Sequence, residues 1–171
     1  MKLIFLTISL FTSIIAHSQS LPDWFTAIYT KKGLDKEYVL ISSIKPSFLS
    51  ADFNADTYED IAVLVVAKKT KKKGVLIIHQ ITNTFVILGA GNRLSNGGGD
   101  DFSWIDKWQL YKKRVAFESL FDKKSGDIIG SRKVNFKQTG ILLEDYEDGA
   151  ALSGGILYWN GKTYQWIQQG E

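Results

Sequence analysis

No cysteine occurs among the 171 residues, which excludes a disulfide framework, a Cys-ligated zinc site and a thiol nucleophile. Histidine is scarce as well: only His17 and His79 are present, and His17 falls in a segment that reads as a cleaved leader. A single remaining imidazole removes most metalloprotease sites and nearly every Ser-His-Asp arrangement. Excess charge of one sign is also lacking, since 21 Lys and Arg stand against 18 Asp and Glu. The formal net charge of +3 falls by one when the leader, with its single Lys and no acid, is set aside. A balance so near neutral exerts no global pull on nucleic acid. The glycine run after Asn96 is not followed by the Lys-Ser/Thr pair of a phosphate loop, so a nucleotide site of that kind is excluded too. What is present is core material: 44% hydrophobic and 13% aromatic residues with 23% charged. That mixture folds rather than stays disordered.

Residues 1–18 (MKLIFLTISLFTSIIAHS) combine a basic start at Lys2, an apolar stretch and the small residues Ala16 and Ser18 at signal-peptidase spacing. The stretch is shorter than the roughly 20 apolar residues of a membrane span. Gln19 follows the expected cut and no Cys is available for a lipoprotein anchor. The expectation is export to the periplasm or beyond, with no stable membrane anchor and one β-rich domain over residues 19–171.

Within that domain, residues 21–29 (LPDWFTAIY) place Trp24, Ile28 and Phe25 for one face of a short helix, with Gly33 as its stop. β patterns follow. Residues 38–44 are rich in β-formers, and residues 61–67 (IAVLVVA) form an apolar run suited to a strand buried on both faces. Further strands are expected at 75–79, 85–88, 134–136 and 141–143. Residues 102–110 alternate Phe102, Trp104, Asp106, Trp108 and Leu110 with more polar positions, which predicts one strand with Asp106 on its apolar side. Residues 156–159 and 163–166 flank Asn160-Gly161, a pair favoured in type I′ hairpin turns. The predicted fold is mostly β, a sandwich or curved antiparallel sheet with one short N-terminal helix.

One segment carries chemistry in its spacing. In residues 52–60 (DFNADTYED), Asp52, Asn54, Asp56 and Asp60 put side-chain oxygens at loop positions 1, 3, 5 and 9, and position 7 offers the Tyr58 carbonyl. A hard cation such as Ca²⁺ takes six to eight oxygens. Position 12 is Val63, so the bidentate Glu of an EF-hand is missing. The other reading of the same residues is a loop of Asx turns whose acids cap backbone amides.

Residues 51–65 (ADFNADTYEDIAVLV) resemble the single repeat core of FG-GAP and VCBS-type proteins, written D-F-N-G-D-G-x-x-D-hydrophobic-hydrophobic-V. The resemblance implies a Ca²⁺ loop between two strands in an exported protein, with Asp52, Asn54, Asp56 and Asp60 as side-chain ligands. Ala55 and Thr57 stand where that family has glycine. The wider chain, with DDFSWIDKW and a terminal LYWNGKTYQW, is distantly similar to small exported proteins of the periplasmic lysozyme-inhibitor kind. No catalytic residue comes with either resemblance.

Other features have a plainer reading beside a functional one. The lysines of residues 68–73 (KKTKKK) suit a solvated hairpin tip or an anionic partner. Asn96, Asp100, Asp101 and Asp106 form a candidate loop for a partner or a second cation. Trp104, Trp108, Trp159, Trp166, Tyr158 and Tyr164 serve as core or as a glycan platform. Glu144, Asp145, Glu147 and Asp148 supply carboxylate pairs of the kind an acid-based hydrolase uses. The expectation is a monomeric, non-enzymatic module binding an unknown protein or glycan. The alternatives are an inhibitor of a cell-wall hydrolase, inserting its 92–101 loop into a cleft, and a small hydrolase.

Overall fold

A computed structural model describes residues 20–94, 97–122 and 124–169; the expected leader and Asn96 lie outside them. The chain begins with helix α1 (Asp23–Lys31) and a short second turn, α2 (Leu34–Glu37). Gly33 stops α1 as anticipated, and its left-handed φ of 71° then opens α2 instead of a loop. Eleven strands follow among the described residues: β1 (Tyr38–Ile41), β2 (Leu49–Ala51), β3 (Asp60–Ala67), β4 (Lys73–Ile78), β5 (Phe85–Gly89), β6 (Lys107–Tyr111), β7 (Val115–Phe121), β8 (Ile128–Asn135), β9 (Gly140–Glu147), β10 (Ala150–Trp159) and β11 (Tyr164–Gln169).

The protein is mostly β, built from antiparallel sheets with few helices. The first sheet runs β1-β3-β4-β5, with β2 pairing the start of β3; the second runs β11-β10-β9-β6; β7 and β8 form a separate hairpin. These elements stack as layers. One face of the first sheet (Ile61, Val63, Val65, Leu76, Ile78) packs against Phe25, Ile28 and Tyr29 of α1. The opposite face (Ala62, Leu64, Val75, Ile77) meets Trp108, Leu143, Leu157, Tyr164 and Trp166 of the second sheet. The far face of the second sheet (Ile156, Ile167) is covered by Ala116 and by Phe136, just beyond β8. β3 is therefore apolar on both faces because it has a layer on each side, as its unbroken run demands. Gly155 admits the second sheet's closest contact: a Cβ there would lie 2.1 Å from the Trp166 ring.

Two expectations are corrected. Residues 102–110 are not one strand, for β6 begins only at Lys107. Ahead of it Phe102 and Ile105 turn into the core and Asp106 is exposed. The aromatic alternation reflects Phe102, Trp104 and Trp166 clustering ring on ring about 6 Å apart rather than strand pleating. The C-terminal hairpin exists, but Trp159 pairs with Tyr164, which leaves a four-residue loop instead of a two-residue turn. Gly161 alone has positive φ there, while the Asn160 carboxamide accepts N–H bonds from Lys162 and Thr163. Two left-handed residues, Asp148 (φ 50°) and Gly149 (φ 82°), do make the turn that joins β9 to β10.

Candidate functional site

The 52–60 loop closes between Ala51 of β2 and Asp60 of β3, which are direct partners in the antiparallel ladder. Phe53, 1% exposed, plugs into the core between the sheets and anchors the loop from within. Around it, Asp52, Asn54 and Asp56 are half-buried while Ala55, Thr57 and Tyr58 are exposed. The side chains at the alternate positions 52, 54 and 56 are thus the ones partly shielded from solvent.

Hydrogen bonds hold the turn. Asp52 Oδ1 accepts the N–H of Ala55 (2.7 Å) and of Asp56 (3.2 Å), and its Oδ2 accepts that of Thr57 (3.0 Å). The Asn54 carboxamide oxygen accepts the Asp56 N–H at 3.0 Å, and its nitrogen donates to Asp56 Oδ2 at 3.0 Å. Asp56 Oδ1 accepts the Tyr58 N–H at 2.9 Å. Ala55 (φ 67°) and Thr57 (φ 75°) occupy the left-handed region. These are the two positions at which the resembled repeat has glycine, and a β-branched residue adopts this conformation only under strain.

Asp60 is completely buried. Its Oδ2 accepts the Phe53 N–H at 3.0 Å and its Oδ1 the Gln80 N–H at 3.3 Å. Nδ1 of buried His79 lies 3.0 Å from Asp60 Oδ2, at ion-pair distance but off the line of a hydrogen bond. Over His79 sits Tyr164, the first residue of β11, with ring centroids 6.0 Å apart and planes 8° from parallel. Tyr164 is 4% exposed, and its hydroxyl is buried without a hydrogen-bond partner. Burial pushes this phenol far above its ordinary ionisation range, and the negative charges of Asp60, Asp52 and Asp56 push in the same direction.

Among the described residues, no three carboxylate or imidazole groups stand together as a preformed metal centre. The amide caps of the Asx reading are all in place, yet they leave acceptor capacity. A carboxylate oxygen has two lone-pair sites, and Asp52 Oδ2, both oxygens of Asp56 and both of Asp60 each take a single N–H bond. The donor set, all oxygen and partly shielded from water, suits Ca²⁺ rather than a softer metal.

Of the second group of candidate residues, Asn96 lies outside the described residues, and Asp100, Asp101 and Asp106 each have partners of their own. Asp100 binds Lys72 Nζ at 2.5 Å, and that hydrogen bond holds its carboxyl below the usual range. Asp101 Oδ1 accepts the N–H groups of Lys73 and Ser103. Asp106, placed on an apolar strand face by the alternation, is instead exposed and accepts the Tyr146 N–H at 3.1 Å. Gly97 and Gly98 lie directly against the Trp166 ring. In the lysine run, Lys68 Nζ donates to the Asp35 carbonyl at 2.7 Å and Lys72 is held by Asp100. Trp108 and Trp166 are buried, and Trp24, Trp104 and Trp159 are half-buried. Glu144 accepts from Gln109, while Glu147 and Asp148 shape the β9–β10 turn. A groove of about 970 Å³ lies between the β7–β8 hairpin and β11; one of its two carboxylates, Glu118, is occupied by Arg132.

Sequence reading puts neither His79 nor Tyr164 beside the 52–60 loop: the first looks like an edge residue and the second like core or part of a glycan platform. Their spacing of 85 positions carries no local signal. No family model matches the chain, and no curated protein or solved structure matches it.

Proposed function

We propose that this chain is an exported, non-enzymatic binding module whose 52–60 loop takes a structural Ca²⁺, with Asp52, Asn54, Asp56 and Asp60 as side-chain ligands and the Tyr58 carbonyl beside them. The observation that carries the reading is the left-handed backbone at Ala55 and Thr57. Two non-glycine residues hold a conformation costing about 1–2 kcal/mol each, in a turn whose oxygen-bearing side chains at 52, 54 and 56 are half-buried. Strain of this kind concentrates where a ligand is gripped. When bound, the ion would neutralise carboxylates crowded at the entrance to a fully buried Asp60.

The module's partner is a protein rather than a glycan on this reading. The tryptophans that would stack sugar rings are buried or half-buried, whereas Phe117, Phe121, Ile128 and Ile129 are exposed together on the β7–β8 hairpin. The caged and dispersed carboxylates described above argue for binding over hydrolysis, which needs a free pair facing one cleft.

Calorimetric titration with Ca²⁺ at millimolar concentration, paired with thermal melting, tests the cation. The expected result is measurable heat and a raised melting temperature for the parent protein, with both lost in Asp56→Ala. A parent protein giving neither heat nor shift would overturn the reading. Nanomolar inhibition of a muramidase would move the function to the hydrolase-inhibitor alternative.

A further inference from the structure

The geometry points to Tyr164 as an additional oxygen donor to the cation of the 52–60 loop, directly or through one water, so that filling the loop clamps the second sheet onto the first. This rests on the Ca²⁺ reading above and extends it to a residue outside the resembled repeat.

The loop belongs to the first sheet, between β2 and β3, whereas Tyr164 opens β11 at the edge of the second. The ring is held from two sides, stacked on His79 and edge-on to Trp159 with centroids 5.1 Å apart. Held in this way, the hydroxyl cannot swing out to solvent. Its oxygen is buried and unpartnered, which is a destabilising state for a hydroxyl in a core. The loop's carboxylates accept from the backbone amides of Phe53, Gln80, Ala55, Asp56, Thr57 and Tyr58, not from the phenol. The ring it belongs to stacks on His79, whose Nδ1 lies 3.0 Å from Asp60 Oδ2, so the phenol sits behind the loop's buried carboxylate. A neutral hydroxyl oxygen left without a partner in this position is a fitting donor for a hard cation or for one of its waters.

The test compares the full chain with Tyr164→Phe and Asp56→Ala by Ca²⁺ calorimetry and by melting with and without Ca²⁺. Tyr164→Phe keeps the ring and its stacking. Without Ca²⁺ it is expected to melt no lower than the parent, since the lost group has no partner. With Ca²⁺ it is expected to bind about three- to tenfold more weakly, the worth of one such interaction, and to show a smaller melting shift. Equal Ca²⁺ affinity and equal shift in Tyr164→Phe and the parent would overturn the clamp while leaving the loop as a cation site. Absence of binding in the parent itself would overturn the loop reading, and the clamp with it.

Discussion

His79 and Tyr164 lie ring over ring, 6.0 Å between centroids and 8° from parallel, although one follows β4 of the first sheet and the other opens β11 of the second. The stack joins the two sheets just behind the 52–60 loop, because His79 also approaches Asp60 at 3.0 Å. A buried imidazole, a buried carboxylate and a buried phenol thus form a polar column through an otherwise apolar interface. An unpaired member of such a column is costly, and the Tyr164 hydroxyl is one.

Asp60→Asn should destabilise the fold by about 2–3 kcal/mol, although the two side chains have the same shape. Both Asp60 oxygens accept backbone N–H groups, from Phe53 and Gln80. An amide must turn its NH₂ toward one of these donors and leave that donor unsatisfied. Urea denaturation measures the loss, and a variant as stable as the parent would show that these buried bonds carry little.

Thr57→Gly should stabilise the apo protein by about 0.5–1 kcal/mol. Thr57 is exposed and left-handed at φ 75°, and its N–H bond to Asp52 is retained by glycine. Relief of the left-handed strain, about 1–2 kcal/mol, exceeds most of the extra chain entropy that glycine loses on folding. Thermal melting should move upward. A downward move would mean that the threonine side chain makes a contact worth more than the strain.

Tyr29→Phe should lower stability at neutral pH by about 1 kcal/mol and reduce its loss in alkali. The Tyr29 hydroxyl donates to the Tyr38 carbonyl at 2.9 Å, tying α1 to β1. Burial, and then the charge of Asp35, raises its ionisation above the ordinary range. With the folded value raised, the unfolded chain releases this proton first, so the stabilisation is complete below about pH 10 and is lost as pH rises beyond it. Tyr111, Tyr158 and Tyr164 are raised in the same sense by burial, so the variant keeps a reduced slope. Melting curves from pH 8 to about 11 compare the two proteins; parallel curves would exclude Tyr29 as a contributor.

Much of the fold is legible in the sequence because local pattern and burial coincide. The 61–67 run suits only a strand with a layer on each face, and β3 is that strand. Trp24, Phe25 and Ile28 are spaced for a helix, and α1 buries Phe25 and Ile28. The pattern fails where side chains gather without a regular backbone. Trp104 and Phe102 alternate for the sake of a cluster around Trp166, and the Asp106 N–H bonds Glu144 from outside any strand. Asp148-Gly149 has the composition of a tight turn, but it sits among Glu144, Asp145 and Glu147, where the acids suggest chemistry before geometry. β7 holds several apolar side chains without clean alternation, because its hairpin covers the second sheet with only part of one face.

For the site, the sequence puts Asp52, Asn54 and Asp56 at alternate positions, and the folded loop leaves all three half-buried. Whether Ala55 and Thr57 would accept the backbone that glycine favours is open in the sequence and is decided by the folded loop, where three bonds to Asp52 and the buried Phe53 hold both residues left-handed. His79 and Tyr164 enter the neighbourhood only through the packing of one sheet on the other. No local rule relates residues 85 positions apart; the apolar faces that drive the sheets together bring the imidazole and the phenol along with them.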